Sequence, residues 1–200
     1  MQFHIENKYK IMRKLCFVLF ILFSASSIAE NHLAFKGIPI TGSLVEFAKK
    51  LEAQGYKISD SSTDMITLEG DFAGYEDCTI HLLQWWNSSR FNKVAVMFPV
   101  LLRWEDTLLM YTKLKKMLSQ KYGYPTTVWE DFNYLTDSFL HGNISTEPLD
   151  SKYYTLYETR YGSIKLLIER SQYGGIPPIN CPIYIVYTDE QDSIKAMEDL

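Results

Sequence analysis

Residues 104–125, WEDTLLMYTKLKKMLSQKYGYP, constrain the fold more than any other stretch of this chain. Trp104, Leu108, Tyr111, Leu114, Leu118 and Tyr122 recur every three or four residues, so on a helix they form one apolar stripe. Lys113, Lys115, Lys116, Gln120 and Lys121 fall largely outside that stripe. Glu105 and Asp106 occupy the first turn and most of the lysines lie further along, which suits the helix dipole. Gly123 suits a left-handed residue past the end, and Pro125 forbids continuation. A helix with one apolar stripe needs a surface to lie on. The sequence on both sides is strand-like, so that surface is a sheet.

Upstream, residues 32–40 (HLAFKGIPI) predict a first strand with a Gly kink and an edge-type Pro. Ser43-Leu44-Val45-Glu46 then matches a capping box, in which the Ser43 hydroxyl accepts the Glu46 amide and the Glu46 carboxylate accepts the Ser43 amide. Leu44, Phe47, Ala48 and Leu51 form the stripe of that helix, Gly55 closes it, and Tyr56 packs back on Leu51. Strands are expected over residues 57–61, 66–73, 78–86, 91–99 and, beyond the central helix, 126–132. Residues 91–99 are apolar on both faces, which predicts a place in the middle of the sheet. A hairpin pairs residues 152–160 with 163–171, turning at Tyr161-Gly162; residues 181–188 are a last strand, and 189–200 a short polar helix. Residues 133–151 and 172–182 show no periodicity, and loops as long as the first are usually functional or disordered.

These elements make one α+β domain over residues 30–200, a mostly antiparallel sheet with two main helices packed on one face. Strand, helix, X-Gly-Tyr and several strands occur over residues 32–86 and again over 91–188, which suggests two βαβββ-like half-repeats. Glycine is common at helix ends in any protein, so the matching ends at Gly55 and Gly123 are compatible with coincidence too.

Residues 1–29 read as a signal peptide. Arg13 and Lys14 are basic, residues 15–23 (LCFVLFILF) are apolar, and Ser27-Ile28-Ala29 fits a small-x-small cleavage site. The alternative, a membrane anchor, needs roughly 20 apolar residues, more than this run supplies. The expected location is therefore periplasmic or secreted, with no membrane span after cleavage. Residues 1–29 hold four basic groups and one acid, so a formal net charge of −4 becomes −7 for the remainder. With that balance and no basic run, nucleic acid is not an expected partner.

The run HLAFKGIPITGSLVEFAKKL, the segment LEGDFAGYEDCTI, and KVAVMFP followed by the helix ending KYGYP resemble a group of small exported proteins of unknown function of the Bacteroides type. The resemblance covers most of the chain after residue 31 and is clearest over residues 32–125. It implies export and a compact α+β domain, and it brings no catalytic residues. The layout is also similar, at the level of the fold, to the helix-then-sheet repeats of β-lactamase inhibitor proteins, which implies nothing firm about function.

Chemistry is harder to find. No two of His4, His32, His81 and His141 stand at i,i+3 or i,i+4, and no Cys-x-x-Cys occurs, so neither a metal site nor a cofactor is expected. G-x-S-x-G, P-loop and G-x-G-x-x-G patterns are missing from the sequence. The adjacent acid pairs, such as Glu105-Asp106 and Glu130-Asp131, fall at turns and helix starts, where solvated acids are ordinary. The two cysteines beyond the leader, Cys78 and Cys181, are either a disulfide in an oxidising compartment or two separate buried thiols.

Aromatic residues, 14% of the chain, are the better lead. Tyr153 and Tyr157 share a strand face, and Phe139 and Leu140 sit in the aperiodic loop before them. If exposed, these four would form a ligand platform; the competing account has them filling the core. The functional expectation is an exported, soluble, non-enzymatic binding or interaction module of the cell envelope, taking glycan, peptide or an envelope protein. The alternative is a hydrolase acting on envelope glycan or peptide.

Overall fold

The computed structural model describes residues 32–84, 91–130, 153–169 and 181–191. Ten strands and two helices run through them in chain order: β1 (Ala34–Phe35), β2 (Ile38–Pro39), α1 (Leu44–Glu52), β3 (Lys57–Ser61), β4 (Met65–Phe72), β5 (Tyr75–Gln84), β6 (Phe91–Met97), α2 (Trp104–Tyr122), β7 (Thr127–Glu130), β8 (Tyr153–Thr159), β9 (Gly162–Ile168) and β10 (Ile183–Asp189). Eight strands form one antiparallel sheet in the order β3-β4-β5-β6-β10-β9-β8-β7, with both helices on one face. The α+β expectation holds, and β6 lies in the interior of the sheet, as its two-sided apolar pattern required.

The sheet consists of two four-stranded meanders, β3 to β6 and β7 to β10, each preceded by its helix. They meet along their last strands, with Tyr184 opposite Met97 and Tyr187 opposite Val94. The halves therefore divide after β6, whereas the sequence reading divided them before it. Residues 91–97 looked like the opening strand of a second unit; hydrogen bonding to β5 makes them the closing strand of the first.

Local signals act as read. Ser43 accepts the Glu46 amide and Glu46 accepts the Ser43 amide, the reciprocal box that starts α1. Burial of Leu44, Phe47, Ala48 and Leu51 follows from the stripe. Tyr56 covers Gly70 of β4, where a Cβ would collide with its ring, so the glycine makes room for the tyrosine. On α2, Tyr111, Leu114 and Leu118 are buried together with Thr107 and Met110, while Trp104, Leu108 and Tyr122 pack at the margin.

Residues 32–40 are not one strand. Lys36 and Gly37 both take positive φ, at 53° and 78°, and fold the segment into the β1–β2 hairpin. That turn places Phe35 over the junction of the meanders, 5.2 Å from Phe72 and 5.3 Å from Tyr187 between ring centroids. Asp189 fastens the hairpin: its carboxylate accepts the Leu33 amide at 2.6 Å, lies 3.1 Å from His32 Nδ1, and accepts the Gln191 amide at 3.3 Å.

Candidate functional site

The face of the sheet opposite the helices is where residues collect that the core does not use. Register places one residue from each of six neighbouring strands in a single line: Thr79 on β5, Met97 on β6, Tyr184 on β10, Leu167 on β9, Tyr154 on β8 and Trp129 on β7. At about 4.8 Å per strand, Met97 to Trp129 spans roughly 19 Å. The next line on the same face runs from Thr67 and His81 through Ala95, Val186 and Lys165 to Leu156.

Side-chain contacts set how this surface presents itself. Trp129 is 47% exposed. The Lys165 ammonium lies 4.2 Å from the Tyr154 ring centroid, a cation–π contact that caps one face of that ring. The Tyr184 hydroxyl donates to Met97 Sδ at 3.2 Å. Burial, and secondarily the Glu169 carboxylate, push the Tyr184 phenol above its ordinary value, so the hydroxyl stays protonated. Thr67 Oγ1 and His81 Nδ1 are 3.2 Å apart, and burial pulls the His81 imidazole below its usual value. The chemistry on offer is stacking, apolar contact and hydroxyl hydrogen bonding, spread along an extended line.

Tyr153 and Tyr157, proposed above as a platform, lie on the other face and are buried at 4% and 1% exposure. The Tyr153 ring packs edge-on against Tyr111 at 5.0 Å and Trp104 at 6.1 Å. The Tyr157 hydroxyl donates to the Lys115 carbonyl of α2 at 3.0 Å and lies 3.0 Å from Ser119 Oγ. Between them Thr155 donates to Glu130 at 3.1 Å and meets the Tyr111 hydroxyl at 2.7 Å, while Lys115 donates to Glu130 at 2.7 Å. These groups satisfy one another and fix α2 to the sheet, so the two tyrosines are core residues. Phe139 and Leu140 lie outside the described residues, as do residues 1–29, Trp85 and Trp86.

The sequence reading counted Tyr154 only among the tyrosines crowding the hairpin, and it missed Leu167, Met97 and Trp129 as site residues. Strand alternation held the signal: Glu158 shares a face with Tyr154, whereas the polar companions of Tyr153 and Tyr157 are the uncharged Thr155 and Thr159. A strand with tyrosines on both faces is assigned by its charged residue, and Glu158 points away from the core.

No disulfide is present between Cys78 and Cys181. Cys78 is on β5 and Cys181 precedes β10, with β6 between those strands, so their backbones are about 9.5 Å apart or more, beyond the roughly 7 Å a disulfide reaches. Cys78 is buried and its thiol is directed to backbone carbonyls of the β4–β5 turn, nearest Tyr75 at 3.6 Å. Among the described residues, no group of three or more His, Cys, Asp or Glu could hold a metal ion, and no helix is long and apolar enough to cross a membrane.

Compared with known proteins, the chain matches no family model, no curated protein and no solved structure.

Proposed function

We propose that this chain is an exported, non-enzymatic binding module of the cell envelope, and that glycan or peptide lies across the face of its sheet opposite α1 and α2. The observation that carries the reading is the line Met97, Tyr184, Leu167, Tyr154 and Trp129 on five adjacent strands. Such a line suits an extended ligand, which meets one side chain per strand, better than a compact metabolite, which needs a concave site. Export to the periplasm or medium rests on the leader-like residues 1–29, and kinship with the exported Bacteroides-type group belongs to the same proposal. The hydrolase alternative calls for two facing carboxylates. Among the described residues, Glu169 lies beside Tyr184 and Glu69 opposite Thr79; four strand spacings separate them, about 19 Å, against the roughly 5–9.5 Å of glycosidase pairs.

Purified sacculi, which carry both glycan strands and peptide stems, are the probe. The parent chain is expected to co-sediment with them, and the double variant Trp129→Ala/Tyr184→Ala to remain in the supernatant while melting within a few degrees of the parent. Prior amidase digestion separates the classes, since a glycan reader keeps binding after the stems are gone. Equal sedimentation of parent and variant, or none by the parent, would overturn the reading.

A further inference from the structure

The outward side of α2 is not the polar surface expected of a solvent-facing helix. Of nine large apolar side chains exposed among the described residues, five fall within residues 100–124: Val100, Leu102, Leu109, Met117 and Tyr124, with Leu102 at 84% and Tyr124 at 97%. At about 100° per residue, Leu109, Lys113, Lys116 and Met117 fall within an arc of roughly 100°, opposite the arc of Tyr111, Leu114 and Leu118 that faces the sheet. Beyond the first turn of α2 the charge has one sign. Asp106 is followed by no acid until Glu130, while Lys113, Lys115, Lys116 and Lys121 lie between. Only Lys115 is turned inward, to Glu130; the other three are exposed. Of the two acids in the first turn, Asp106 is engaged by Arg103 at 3.0 Å and Glu105 is exposed below Leu109, so Lys113, Lys116 and Lys121 outnumber the one acid left on the outward side.

We propose that α2 docks side-on to a bilayer bearing anionic headgroups, with Leu102, Leu109 and Met117 in the interface and Lys113, Lys116 and Lys121 reaching the headgroup charges. Exposed aliphatic side chains interleaved with lysines are what an interfacial helix presents. The apolar contacts supply the anchoring and the lysines the preference for negative lipid. Long lysine stems let the charge reach water while the methylenes stay in the interface. A protein partner would need acids that match three lysines around an apolar ridge, and nothing in the described residues selects one. The Trp129–Met97 line lies on the other face of the sheet from α2, so docking through α2 leaves that line directed away from the membrane. The inference is independent of the ligand proposed for that face.

Tryptophan placed at two sites of the full chain tests it: Leu109→Trp on the outward side of α2 and Ile58→Trp on β3. Each is mixed with vesicles of equal phosphatidylglycerol and phosphatidylcholine whose acyl chains carry bromine, and quenching is corrected for the parent's own tryptophans. Any insertion of the apolar run at residues 15–23 tethers both variants alike, so it does not by itself distinguish the sites. The added tryptophan at 109 is expected to be quenched and the one at 58 not. Quenching at 109 should be lost with phosphatidylcholine alone, or when Lys113→Glu and Lys116→Glu are added. Absent quenching at 109, equal quenching at both sites, or quenching indifferent to lipid charge would each overturn the proposal; the first would leave the ridge as a contact for protein.

Discussion

Beneath α1 the contacts are hydrocarbon. Phe47 is fully buried, its ring 4.7 Å from Phe91, and Leu44, Ala48 and Leu51 complete the stripe over β4 and β5, where Leu68, Ile80 and Leu82 are fully buried. Beneath α2 the same layer holds hydroxyls and a carboxylate: Tyr111, Thr155, Glu130, Lys115, Tyr157 and Ser119 hydrogen-bond from helix to β7 and β8. The two halves share one order of elements and differ in what joins helix to sheet. Apolar packing tolerates small changes of shape and resists loss of volume; a satisfied polar network tolerates little chemical change in any member. Mutations should therefore separate the halves by chemistry as well as by size.

The largest effect is expected under α1. Phe47→Ala removes a ring with no exposed surface, and truncations of this kind cost about 3–5 kcal/mol. Urea denaturation should show a fall in midpoint large enough to leave a substantial unfolded fraction without denaturant. A cost near 1 kcal/mol would mean that α1 is loosely seated.

Next comes the seam. Asp189→Asn keeps the shape but removes the charge that holds Leu33 and His32, and hydrogen bonds to charged groups contribute about 1.5–3 kcal/mol. Amide exchange should rise at Leu33 and across β1 and β2 before it rises in β9. If the whole sheet loosens together, the N-terminal hairpin is integral to the core.

Thr155→Val sharpens the comparison of the helices. The substitution preserves shape, yet it leaves the Tyr111 hydroxyl without its 2.7 Å partner, at a cost of about 1–3 kcal/mol. Ile80→Val, at an equally buried site of the first half, should cost only about 0.5–1.5 kcal/mol although it removes a methyl group. Equal losses would erase the distinction between the halves.

How much of this was legible depends on which residues carried the signal. Capping box and stripe at α1, the long stripe of α2 and the two-sided apolar run of β6 fix their elements locally, because each is a periodicity against one surface. The β1–β2 hairpin was not legible: Lys36-Gly37 lacks the Asn-Gly or Asp-Gly pair that announces a two-residue turn, and the positive φ of Lys36 is held by Phe35 packing on Phe72 and Tyr187. The aromatic line failed for a different reason. Trp129, Tyr154, Tyr184 and Met97 are far apart in the chain, and only the strand order brings them into one line. Tyr153 and Tyr157 stood out because they are close in sequence, which on a strand says that they share a face but not which face.

The smallest expected effect concerns His81, which shares a cross-strand line with Lys165 on the sheet face opposite α1 and α2. Its neighbours in that line are Thr67 on β4 and Ala95 on β6, so it is half-buried without a partner charge beside it. Burial disfavours the imidazolium and sets the folded-state value below the ordinary 6.5. Above pH 6.5 both folded and unfolded chains hold a neutral ring, and His81 adds no pH dependence. As pH falls through 6.5 the unfolded chain takes up a proton that the folded chain refuses, so stability declines; the decline ends once pH passes the folded value. Its slope is bounded by one proton per molecule. Melting scans from pH 7.5 to 5 should show this component in the parent and a flatter profile in His81→Gln, whose amide still reaches Thr67. Lys165, seated on the Tyr154 ring, should leave the profile unchanged when replaced by Arg. Superimposable profiles for parent and His81→Gln would show that the ring is solvated in the folded chain, and the face opposite α1 and α2 would then be wetter at β5 than its packing indicates.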